Sequence, residues 1–182
     1  MKIFLSALLA TAIIGISAPS FAESGEGYSV SSPVPASFTW MNVEVAFKAR
    51  FVKRVVTDLG AAGPSTGSAD DDRIDGYGDL RDMKGNVIGR FDVSSRVTET
   101  RSDSETRYVN ADYAFGDGTD SFVISGARRY LPDFGLVKQG LTNVFPVAGG
   151  TGAYASASGQ CSVLRTDLTE YNVTCALLVP KR

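Results

Sequence analysis

The chain of 182 residues contains no histidine. Without imidazole there is no Ser-His-Asp or Cys-His nucleophilic machinery and no histidine-ligated zinc or iron. The usual side chain for proton transfer near neutral pH is missing as well. Positive charge is also scarce: 18 Lys and Arg stand against 20 Asp and Glu, for a formal net charge of -2. That balance lacks the cationic excess that phosphate-backbone binding requires, so no nucleic-acid partner is expected. Two cysteines occur, and they are not spaced as the Cys-x-x-Cys of a redox pair. Beyond residue 22 no apolar run approaches the roughly 20 residues of a spanning helix, so no membrane span is expected. What remains for any chemistry is carboxylates, tyrosine, lysine, arginine and backbone dipoles.

The amino terminus carries an address. Lys2 precedes an apolar run from Ile3 to Ala18, about 16 residues and too short to anchor in a bilayer, and Ser20 and Ala22 place small residues at a cleavage site. Residues 1–22 therefore read as a cleaved secretory signal, and the remainder as a secreted or periplasmic protein. Residues 23–37, rich in Ser, Gly and Pro, read as a flexible arm, and 38–182 as a single domain. Export makes the cysteines interpretable, because an oxidising compartment turns two thiols into a bridge. A hairpin folded about Leu168 sets Val163 opposite Val173 and Cys161 opposite Cys175, at the cross-strand separation that a disulfide tolerates.

Apolar residues alternate with polar ones through most of the mature chain. From Phe38 to Val56 the odd positions Met41, Val43, Val45, Phe47, Ala49 and Phe51 are apolar, and Asn42, Glu44, Lys48 and Arg50 fall between them. Period two of this kind marks a long strand with one buried face. The same parity recurs at Val87, Phe91, Val93 and Val97, at Val109 to Phe115, and at Tyr171 to Val179. Ser121 to Tyr130 and Thr142 to Val147 alternate more weakly. Turn-forming clusters separate these segments, and no mature segment sustains a helical period. Seven or eight strands joined by short turns predict an all-β antiparallel barrel or sandwich, and strands this long favour closure into a barrel. Gly60 to Gly76 reads as a long rim loop.

Particular stretches resemble known proteins. Phe145 to Gly159 reads Phe-Pro-Val-Ala-Gly-Gly-Thr-Gly-Ala-Tyr-Ala-Ser-Ala-Ser-Gly, and Glu170 to Val173 reads Glu-Tyr-Asn-Val. Together they resemble the carboxy-terminal signature of plant dirigent proteins. Gly78-Asp-Leu80, Gly85 to Arg90, Tyr113 to Asp117 and Ile124-Ser-Gly126 look like segments shared by dirigent proteins and allene oxide cyclases. The resemblance runs from about Gly78 to Val179 and departs at Ser158, where dirigent proteins often have arginine. It implies an eight-stranded antiparallel β-barrel of the calycin-like kind, often a homotrimer, with a ligand cavity inside and neither cofactor nor metal. Dirigent proteins steer phenolic intermediates, and allene oxide cyclases hold a fatty-acid epoxide while it closes a ring. Both act by restricting conformation.

Which residues form the site depends on which strand face points inward. With the apolar face inside, Phe47, Phe91, Tyr113, Arg165 and Tyr171 line a cavity for a small apolar or phenolic molecule. With the polar face inside, Glu44, Asp92, Tyr108 and Asp112 converge, and an enclosed carboxylate serves a cofactor-free cyclase or isomerase. A third possibility is a filled barrel acting through oligomer contacts. Gly149 to Gly152 lacks the following helix of a phosphate cradle and reads as a bulge needing positive φ. Asp70 to Gly76 lacks the ligand spacing of a calcium loop.

Overall fold

The computed structural model describes residues 39–57, 72–101, 104–130 and 139–181. The expected signal peptide and arm lie outside them. Eight strands follow one another: β1 (Trp40–Thr57), β2 (Arg73–Arg81), β3 (Val87–Thr100), β4 (Glu105–Phe115), β5 (Asp120–Tyr130), β6 (Thr142–Thr151), β7 (Ser158–Arg165) and β8 (Glu170–Pro180). Each pairs antiparallel with the next, and β8 returns to β1 over the register Trp40↔Pro180 to Arg50↔Glu170. The result is a closed barrel, which leaves no row of backbone donors and acceptors unpaired at an edge. The all-β, eight-stranded antiparallel barrel expected from the sequence is the architecture found.

The apolar face points inward. Phe47 and Ala49 on β1, Phe91 and Val97 on β3, Val109 to Tyr113 on β4 and Tyr171 to Val179 on β8 are buried at alternate positions. Charged residues between them, among them Glu44, Arg90, Asp92 and Asp112, are exposed. This distribution is the inverse of a membrane barrel, whose outer band is apolar. Among the described residues no helix is long and apolar enough to cross a membrane.

Bulges break the alternation at defined places. On β1 the register passes from Phe51↔Gly78 to Lys53↔Tyr77, leaving Val52 as the extra residue. A bulge reverses which face each later side chain meets. On β3, Ile88 is skipped between Leu80↔Gly89 and Arg81↔Val87. Val87, expected on the buried face, is consequently 59% exposed, and Ile88 packs against the core instead. On β6, Ala148 is skipped, and Gly149 beside it has φ +139°, as the bulge reading of the glycine run requires.

The predicted rim loop from Gly60 to Gly76 ends earlier than expected. Residues 60–71 lie outside the described residues, but Arg73 to Gly76 already belong to β2. Aspartate and glycine made this segment read as loop. Glycine is needed here for a different reason: a Cβ on Gly76 would lie 2.6 Å from Cε1 of Phe51, so the strand yields space to a ring.

The disulfide hairpin has the expected register. Cys161 pairs with Cys175 and Val163 with Val173 across β7 and β8, and the two cysteines are bridged with a Cα separation of 4.0 Å.

Candidate functional site

Two ends of the barrel differ. At one end an aromatic cluster fills the interior: Phe47 lies edge-on to Tyr113 at 5.0 Å and to Phe115 at 5.4 Å, and Tyr154 closes against Phe122 at 5.2 Å. Phe47 and Phe122 are fully buried there. Such edge-to-face pairs add stability beyond area burial.

Toward the other end the interior opens into a cavity of about 100 Å³. This end is formed by the last residues of β1, β3, β5 and β7 and the first residues of β2, β4, β6 and β8. The walls are mostly apolar: Phe51, Phe91 and Phe145 supply rings, and Ile74, Val93, Val109, Ile124 and Val163 supply aliphatic surface. Phe51 stands edge-on to Phe91 at 5.0 Å and to Tyr171 at 5.7 Å, so a ladder of rings runs from the filled end to the mouth. Glycine makes this ladder possible. A Cβ on Gly78 would come within 2.0 Å of the Arg50 carbonyl oxygen and 2.7 Å of the Phe91 ring. An apolar cavity of ~150 Å³ accepts benzene, so the smaller, partly open space here holds at most about one ring or a short chain and not a large lipid.

Polar groups in the wall are few. Tyr113, Tyr130 and Tyr171 line the cavity with Ser95, Arg54 and Arg107. Burial pushes the phenols of Tyr113, Tyr130 and Tyr171 above the ordinary tyrosine range. They stay protonated near neutral pH and can donate a hydrogen bond to a guest oxygen. Arg107 is ion-paired through Nε to Oε1 of Glu105, two residues earlier on β4, and both side chains are buried. No aspartate or glutamate lines the cavity among the described residues. The described wall residues can therefore bind, orient and donate hydrogen bonds, and none of them is a carboxylate that could serve as a general base.

Of the residues expected to bind a ligand, Phe91, Tyr113 and Tyr171 stand in the cavity wall. Phe47 is packed in the aromatic cluster below. Arg165 is buried at the mouth end, where its Nε donates to the Asp167 carbonyl at 2.9 Å, and its charge acts on Tyr171. The four residues expected to converge if the polar face were inside are all exposed on the outer surface. Asp92 and Asp112 are cross-strand neighbours there, and burial together with the charge of Asp92 raises the Asp112 carboxyl. The hydroxyl of Tyr108 is 2.6 Å from that of Ser125, and Glu44 lies on another strand. They are separated from the cavity by the sheet because inward positions are odd on β4, on β1 up to Phe51 and on β3 from Gly89 to Val97.

Several wall residues escaped the sequence reading. Arg107 shares the parity of Val109 and Ala111, a signal that was available. Ile124 and Tyr130 follow the weak alternation of β5, whose inward positions are even. Arg54 had no such signal, because only the bulge at Val52 turns it inward. Among the described residues no cluster of His, Cys, Asp or Glu could hold a metal ion.

No family model matches the chain, and no curated protein matches it by sequence. Solved structures do. A pyocyanin demethylase aligns with TM-score 0.57 at 17% identity, covering 74% of this chain and 99% of the other. AbnU, described as an exo-specific intermolecular Diels-Alderase, aligns with TM-score 0.59 at 14% identity over 77% and 98%. The pterocarpan synthase dirigent protein GePTS1 aligns with TM-score 0.55 at 11% identity over 79% and 92%. At these identities the likeness is one of fold. The chain thus shares its closed eight-stranded barrel fold with these solved structures, a dirigent protein among them.

Proposed function

We propose that this protein is an exported barrel that encloses a small apolar or phenolic molecule and fixes its conformation. The observation that carries the reading is the cavity wall itself, rings and aliphatic side chains interrupted by a few neutral hydroxyls and guanidinium groups. Restricting a flexible reactant to one near-attack geometry requires no base and no cofactor. That suits a chain without histidine. Structural neighbours described as a dirigent protein and a Diels-Alderase support the same kind of work. Export is supported by the signal-like first 22 residues and by the buried disulfide. Assembly as a homotrimer belongs to the proposal through the family resemblance.

The rival enzyme reading, with Glu44, Asp92 or Asp112 moving a proton, is weakened by their exposure on the outer surface. A filled barrel acting only through oligomer contacts is disfavoured by the cavity.

Native mass spectrometry of the exported, disulfide-bonded protein tests the proposal. A non-covalent small-molecule adduct, lost on gentle activation, is expected on each subunit. An apo mass that persists after incubation with aromatic and phenolic compounds would overturn it.

A further inference from the structure

The extra residue on β1 has a consequence for the ligand. Without Val52, alternation would carry Lys53 and Val55 inward after Phe51. The bulge instead places Arg54 opposite Gly76 and Val56 opposite Ile74, both inward positions of β2. Arg54 thereby joins the cavity wall. Bulges commonly re-aim one side chain next to a binding site.

Three further observations describe the charge at this point. Arg107 faces the same cavity, but Glu105 compensates its charge from behind. Arg54 has no carboxylate partner among the described residues, and none lines the cavity. Its charge also reaches Tyr171: burial raises that phenol, while Arg165 and then Arg54 act in the opposite direction. Among the described residues the cavity wall thus presents an apolar surface with the Arg54 guanidinium near a phenol donor. A guanidinium only donates hydrogen bonds, and a neutral phenol offers its proton as a further donor. Their common complement is an oxygen that bears negative charge.

We infer that the cavity takes an organic anion, an apolar or aromatic body buried against Phe91 and Tyr113 with a carboxylate or phenolate oxygen held at the mouth by Arg54. This deepens the proposed function and rests on it. Arg54 acts here as a specificity-determining contact.

The test compares two probes of the same shape, cinnamate and cinnamyl alcohol, by calorimetric titration at pH 7 with the exported, disulfide-bonded protein. Charge-assisted hydrogen bonding predicts a preference of roughly 10-fold or more for cinnamate. In Arg54→Gln cinnamate loses much more affinity than the alcohol, so that preference collapses, and Arg54→Lys restores part of it. Raising the salt concentration narrows the preference in the wild type. Equal binding of both probes by the wild type, or a preference that survives Arg54→Gln, would overturn the anion inference and leave the enclosing cavity standing. Loss of alcohol binding in Arg54→Gln would make Arg54 a structural residue and overturn it too. If neither probe binds, the cavity reading falls along with it.

Discussion

Glu105 and Arg107 form an ion pair along one face of β4, with side chains only 1% and 3% exposed. The pair sits at the mouth end of the cavity wall and holds the Arg107 guanidinium in place. A buried pair gains little net stability, but removing one partner strands the other charge in a low dielectric.

Glu105→Ala is therefore expected to destabilise the barrel by about 3–5 kcal/mol. Chemical denaturation followed by circular dichroism measures it. The double replacement Glu105→Leu with Arg107→Met should recover most of that loss, because no charge is left behind. An equal loss in the double variant would show that the site needs the ions for its shape.

Gly78 faces Phe91 across β2 and β3. With the Arg50 carbonyl 2.0 Å from any added Cβ, Gly78→Ala forces two strands apart as well as displacing a ring. Overpacking of this kind costs about 1–3 kcal/mol. Thermal unfolding should show a lower midpoint, and the neutral probe should bind more weakly as Phe91 tilts into the cavity.

The bridge between Cys161 and Cys175 closes a loop with a sequence separation of 14, and both residues are fully buried. Loop closure of that size is worth about 3 kcal/mol in the unfolded-chain model. Replacing both cysteines by alanine should lower stability by that order without changing the fold. A native circular dichroism spectrum with an unchanged midpoint would mean the hairpin is held by its ladder alone.

Buried tyrosines give the barrel an alkaline limit. The Tyr113 and Tyr130 phenols are raised by burial, whereas the unfolded chain ionises near ~10. Below that value both states hold the proton, and the phenols do not penalise folding. Above it the unfolded state releases protons that the folded state retains, so stability falls by up to about 1.4 kcal/mol per pH unit for each group until the folded phenol ionises. Absorbance titration should show a class of phenols that ionises only as the barrel unfolds. Tyr113→Phe should shrink that class and flatten the decline, and an unchanged titration would remove Tyr113 from it.

Much of the fold was legible because a half-buried strand writes its burial into the sequence at period two. Val109, Ala111 and Tyr113 gave β4, and the Leu168 turn gave the pairing of Cys161 with Cys175. Strand β2 was the element that composition concealed. Its inward face carries Gly76 and Gly78, whose value lies in what they leave empty for Phe51 and Phe91, and an absent side chain leaves no hydrophobic signal.

The site was legible only in part. Phe91, Tyr113 and Tyr171 share the parity of their strands and fall in the cavity wall. Phe47 shares it too, yet lies lower in the barrel among Tyr113, Phe115 and Phe122. Alternation assigns a side chain to a face and says nothing of its height along the barrel axis.

By itself, then, the sequence determined the chemistry available and the class of architecture. The lack of histidine, the charge balance and the alternation are local properties that need no partner strand to be read. Tertiary structure decided which face is inside, how deep each ring sits and that Arg54 turns toward the cavity. Closure of the sheet sets the first two through strand register and tilt. The third hangs on one unpaired residue, Val52, whose effect exists only once β1 and β2 are paired.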